Sequence, residues 1–259
     1  MLPPVDIAHV ALEVRRLCAE LAQCHADTGA DPGLDPVDLC GALQQALAAL
    51  DELGSCVQWP PPILRQPHQF NVAADPRPTS ARDLGLVGNE CIDLLGRLAA
   101  LAGRLRLPQH ARQVEALALP LACWIARRGG ELAHPAPVVN AAGALANSTK
   151  APDELATLYG LMSEVVDALS PTVTQDGELA DATRPWRVLL LNRAIVATRS
   201  HRPDLMESAF RAVVEALPGD APEFFREAMG QMEALNYPPQ VRAVVQRYAD
   251  AWCQRRTLH

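Results

Sequence analysis

An all-α protein follows from three properties of this chain. Its apolar residues, 49% of 259, are mostly Ala, Leu and Val, while aromatic residues make up only 4%. Ala and Leu are strong helix formers, and the β-branched and aromatic residues that favour strands form no alternating run. Finally, a short helical phrase recurs: Val165-Val166-Asp167-Ala168-Leu169, Val213-Val214-Glu215-Ala216-Leu217 and Val244-Val245-Gln246-Arg247-Tyr248. Its intervals of 48 and 31 residues point to one supersecondary unit used repeatedly, whose core is buried by stacking.

Residues 4–26 and 35–53 read as two amphipathic helices, the second opened by Asp35-Pro36 and stopped by Gly54. Residues 1–54 are therefore expected to form an N-terminal helical pair. Residues 55–79 break the pattern with Trp59-Pro60-Pro61-Pro62, Pro67, Pro76 and Pro78. Consecutive prolines exclude a helix and favour polyproline II, so this segment reads as a linker or long surface loop. Residues 80–259 then form a helical-repeat domain. Its first helix, 80–106, carries the stripe Leu84, Val87, Cys91, Leu94, Leu98, Leu101 and Leu105. Pro108 opens the next, which runs to Arg128 and stops at Gly129-Gly130. Further helices start at Pro135, Pro152, Pro185, Pro203, Pro222 and Pro238-Pro239, with a turn-rich stretch from Pro171 to Thr183. Proline at successive first turns with short connections implies four antiparallel pairs, and the Val-Val phrase falls in the second helix of the last three.

This order of helical pairs resembles the tetratricopeptide-like class of α-solenoids, the pair at about 222–256 coming closest to a 34-residue repeat. The resemblance implies a superhelical stack and a tendency to bind proteins or peptides in a concave groove.

Asparagines recur on the first helix of three pairs: Asn89, Asn140 and Asn192, spaced by 51 and 52 residues. Seven positions on, on the same helical face, stand Gly96, Asn147 and Arg199. Asn is a poor helix former with polar groups to satisfy, so each of these amides needs a partner. One reading is a polar ladder offering donors and acceptors to a bound peptide, formed by Asn89, Asn140, Asn147 and Asn192, with Arg193 or Arg199 adding preference for acidic groups. The other is that each amide bonds a neighbouring helix or loop carbonyl, as most buried polar groups do. On the first reading, changing Asn140 and Asn192 to alanine weakens partner binding without unfolding the protein. The proline-rich segment is also expected to compete for that groove, so deleting 57–77 would raise partner affinity. Gly85, Gly88, Gly96 and Gly103 within one helix indicate close helix crossing.

Other chemistries find little support. A net charge of −7 with pI about 5.5 argues against nucleic-acid binding, which needs a basic patch. Basic residues are almost all Arg, Lys150 being the only lysine, which reads as codon usage in a GC-rich genome. Glu131-x-x-His134 has metal-ligand spacing, yet no second Glu-x-x-His accompanies it, so no metal or cofactor is expected. The seven cysteines (18, 24, 40, 56, 91, 123, 253) contain no CxxC and read as reduced, buried thiols of a cytoplasmic protein. Residues 1–16 lack the basic and apolar regions of a signal peptide, and the most apolar stretch, 116–126, is too short to span a bilayer. Phe224-Phe225, Met229, Met232 and Trp252 form an apolar band, read as core packing before a homodimer contact. A protein- or peptide-binding adaptor or assembly protein, not an enzyme, is the resulting expectation. Its rivals are an all-α enzyme or small-molecule sensor with a site between helices, and a self-assembling structural subunit.

Overall fold

Helix fills almost all of the described chain, which in this computed structural model comprises residues 2–28, 34–56, 79–175 and 184–253. The expected proline-rich linker at 55–79, and its competition for a groove, fall almost wholly outside the described residues. In order, the helices are α1 (Ile7–Thr28), α2 (Val37–Cys56), α3 (Thr79–Arg104), α4 (Pro108–Ala116), α5 (Ala118–Arg127) and α6 (Ala136–Ser148). They continue as α7 (Pro152–Asp167), α8 (Pro171–Gln175), α9 (Pro185–Arg199), α10 (Pro203–Ala216), α11 (Ala221–Ala234) and α12 (Pro239–Cys253). Among the described residues the only strand-like feature is an isolated parallel pairing of Leu132 with Leu169. The fold is all-α.

Proline sets most of the starts. It is the first residue of α4, α7, α8, α9, α10 and α12 and the second of α6 and α11. At those positions its missing N–H costs no helical bond and its φ is already helical. Pro120 acts in the opposite sense. The sequence predicts a single helix from Pro108 to Arg128, but the chain breaks at Leu117 into α4 and α5. Pro120 cannot donate to the carbonyl of Ala116, and its ring crowds that carbonyl, so the break falls there and Pro120 is accommodated in the first turn of α5.

The helices fall into two units. One holds residues 3–144 and 164–179. Within it α3 packs on α2, α4 and α5, while α1 packs on α2, α4 and α5. The N-terminal pair thus packs in one bundle with α3, α4 and α5. Leu84, Cys91, Leu94, Leu98 and Leu101 of the α3 stripe are all buried, and residues 118–126 of α5 are buried without exception. Close approach explains Gly88, where an added Cβ would lie 2.6 Å from Ile125 Cδ1. Gly103 meets nothing within 4 Å, and packing gives no reason for it.

The other unit holds residues 145–163 and 180–259, with Met1–Leu2. Here α9 pairs with α10 and α11 with α12, and α10 also packs on α12. In this unit the Val-Val phrase supplies a fully buried valine at Val213 in α10 and Val245 in α12; its first copy does the same in the other unit, at Val165 of α7. Phe225 and Met232 are buried, Phe224 and Met229 half-buried, so much of the Phe-Met band of α11 belongs to the core.

Arg187 at the start of α9 grips Asp220, before α11, through two bonds of 2.8 and 2.6 Å. That guanidinium holds the Asp220 carboxyl below its ordinary value of 3.8. A carboxyl with a lowered folded-state pKa contributes stability above its unfolded pKa and loses it as pH falls through the folded value. The wild type should therefore melt above Asp220→Asn at pH 6, with the gap closing below about pH 3.8. A constant gap from pH 6 to 2.5 in thermal melts would refute the ionic contribution.

Candidate functional site

Asn89 supplies the fixed point from which the site is built. It is buried on α3, where its Nδ2 donates to the carbonyl of Gly85 one turn back (2.7 Å) and to that of Glu131 (2.8 Å). Its Oδ1 accepts from the backbone N–H groups of Ala133 (2.8 Å) and His134 (3.2 Å). Both donors and both acceptor lone pairs of the amide are used. Three of these bonds hold the connection between α5 and α6. Leu132 in that connection donates to Ala168 (2.8 Å) and accepts from Ser170 (2.9 Å), and His134 Nδ1 lies 2.5 Å from Asp93 Oδ2. Pinning residues 131–134 fixes where α6 begins and how it meets α3. The Glu131-x-x-His134 spacing thus belongs to a clamped connection, and among the described residues no group of three or more His, Cys, Asp or Glu side chains is placed to hold a metal ion.

α6 meets α3 at Gly96, where a Cβ would stand 3.0 Å from Pro137 Cγ. Beside that contact the small side chains of Ala99, Ala100, Ala111, Ala118 and Ala136 leave a cavity of about 410 Å³ between α3, α4, α5 and the start of α6. Its wall is otherwise Leu95 and Pro137, and its polar groups are Asn140, Arg112 and Glu115. Asn140 lies one turn after Ala136, so both face the cavity, and its side chain is exposed. Arg112 is exposed and Glu115 half-buried, one turn apart on α4. A floor of alanine and leucine therefore carries an amide that both donates and accepts, a guanidinium and a carboxylate. That set suits a neutral polar group, such as a peptide unit, carried on a slim apolar body.

The remaining predicted site residues have different surroundings. Arg193 is buried in α9, where its Nε donates to Ser163 Oγ (2.8 Å) and its Nη2 to Tyr159 Oη (2.7 Å), with the guanidinium 4.6 Å above the Tyr159 ring. Arg199 donates to the carbonyls of Ala146 (2.6 Å) and Thr149 (2.7 Å), satisfying carbonyls that the end of α6 leaves without helical partners. Asn89, Arg193 and Arg199 thus make these hydrogen bonds within the chain, Asn89 and Arg193 buried and Arg199 half-buried. Asn147 is exposed near the end of α6, and Asn192 is half-buried on α9.

Comparison of the chain with protein-family models, curated proteins and solved structures finds no match. Function has to be argued from the cavity. Arg112 and Glu115 escape a reading of the sequence because charged residues on a helix are ordinarily a solvated face. The available signal is the run of small residues at 96, 99, 100 and 111, which keeps neighbouring side chains from filling the space.

Proposed function

We propose that this protein binds a peptide segment of a partner protein in the cavity between α3, α4 and α6. The observation that carries the reading is the exposed amide of Asn140 set in an alanine-lined cavity of about 410 Å³. An Asn amide can pair with both the N–H and the C=O of an extended main chain, while the alanine floor admits a small apolar side chain. Arg112 and Glu115 then read the flanking residues. Within this proposal the hairpins α9/α10 and α11/α12 are units of a tetratricopeptide-like helical repeat, and the chain serves as an adaptor or assembly protein. The net charge of −7 favours a protein partner over nucleic acid.

Peptide-library display against the immobilised full chain tests this. Short apolar peptides should be selected, and Ala100→Trp should abolish their binding, because Ala100 is an exposed cavity residue whose enlargement fills the space. Asn140→Ala should weaken it about 2- to 12-fold, the worth of a net hydrogen bond of roughly 0.5–1.5 kcal/mol. Asn147→Ala, away from the cavity, should change little. Peptides that bind the Ala100→Trp variant as well as the wild type, or no selected peptide at all, would overturn the proposal in favour of a small-molecule site or a self-assembling subunit.

A further inference from the structure

Glu115 stands where its own surroundings do nothing for a carboxylate. It lies in the last turn of α4, at the negative pole of that helix, and it is half-buried on the wall of the alanine-lined cavity. The helix dipole and the partial loss of water both disfavour its charge. Other half-buried acids are held: Glu13, Glu20, Asp93, Glu164, Glu207 and Asp220 each meet an arginine or a histidine. Among the described residues Glu115 has no hydrogen bond or ion pair through its side chain. Neither has Arg112, one turn earlier on the same cavity wall. The two do not pair with each other, and a base placed before an acid is the weaker order for such a pair on a helix. Opposite charges are thus presented side by side to the cavity, each without a partner.

We infer that the segment bound in this cavity carries an acid and a base two positions apart, with a small apolar residue between them. The inference rests on the peptide-binding reading and names the chemistry of the peptide. In an extended chain, residues i and i+2 lie on one side about 6.8 Å apart, and the residue between them turns the opposite way. Cβ atoms three positions apart on a helix are about 5–6 Å apart, so one i, i+2 pair spans Arg112 and Glu115. The acid of the peptide meets the Arg112 guanidinium, whose fork matches a carboxylate, and the base meets Glu115. The residue between them turns away from α4 toward α3 and α6, where Gly96, Ala100 and Ala136 leave room for a methyl-sized side chain. Asn140 of α6 then pairs with the main chain. A net charge of −7 attracts any cationic peptide, so the acidic half of the pair is what separates recognition here from general attraction.

Titration calorimetry on the full chain tests this with capped Ala-Asp-Ala-Lys-Ala, the same peptide with Asp and Lys exchanged, and controls carrying Gln or Lys at both positions. One order of the charged pair should bind more tightly than the Gln control, by about 2- to 5-fold for each ion pair, the usual worth of a partly exposed one. It should also bind more tightly than the doubly basic control. That advantage should vanish at about 1 M salt, where charges are screened over about 3 Å. The double variant Arg112→Glu/Glu115→Arg should melt with the wild type, because neither side chain is bonded within the chain, and should prefer the other order. Equal affinity for the charged and Gln peptides, with binding still blocked by Ala100→Trp, would overturn this inference and leave peptide binding standing. An unchanged order preference in the double variant would overturn it as well. Binding of none of the peptides would remove both readings.

Discussion

Asn89→Ala is expected to lower the unfolding free energy by about 2–4 kcal/mol and the melting temperature by roughly 5–15 °C. The amide makes four hydrogen bonds, three of them to backbone groups of residues 131–134. Truncation removes all four and leaves buried backbone groups without that partner, each at a cost of about 1–3 kcal/mol where water cannot replace it. Asn89→Asp should not rescue the loss. A carboxylate still accepts from Ala133 and His134, but it has nothing to donate to the carbonyls of Gly85 and Glu131 and would repel them. Thermal melts of the three proteins decide the matter. A shift below about 1 kcal/mol for the alanine variant would mean that water takes over these bonds, and Asn89 would return to the list of ligand-facing amides.

Phe210→Ala should cost about 3–5 kcal/mol, the usual range for emptying a buried aromatic site. Phe210 is completely buried in α10. It meets the rings of Phe224, Phe225 and Tyr248 edge to face, with centroids 5.9, 5.1 and 5.2 Å away. Such pairs contribute about 0.5–1.5 kcal/mol each beyond the area they bury, which places this position at the upper end of the range. Phe210→Leu keeps most of the volume and should recover more than half of the loss. Denaturant unfolding gives the magnitude, and amide hydrogen exchange gives the place. Protection in α10, α11 and α12 should fall first. Unchanged exchange in those helices would show that the aromatic cluster is not what holds them together.

The sequence singles out Asn89 but not Phe210, and the two differ in how much spacing alone says of them. Phe210 sits in a helix whose apolar period already turns it inward, so a core role follows from spacing alone. Asn89 was conspicuous as a polar residue within an apolar helix, and the sequence posed its need for a partner without naming one. Its partners at 131–134 lie more than 40 positions away and are backbone groups, which leave no trace in residue identity. The same holds for Arg199, whose carbonyl partners lie 50 and 53 positions away. Gly88 was read as a close crossing, and that reading stands because a missing Cβ is a direct statement about space. Pro120 is the instructive miss. An apolar run hid a residue whose missing N–H breaks a helix as surely as proline at a first turn starts one.

By itself, the sequence determined that the chain is helical and where most helices start. Those outcomes depend on local physics: the low entropy cost of Ala and Leu in a helix, and the fixed φ and absent N–H of proline. Only the tertiary structure decided that α1 and α2 pack into the bundle of α3, α4 and α5, and that Asn89 clamps a connection while Asn140 faces open space. Each of those results depends on which distant groups arrive beside a side chain, and a one-dimensional pattern records the need for a partner but not its identity.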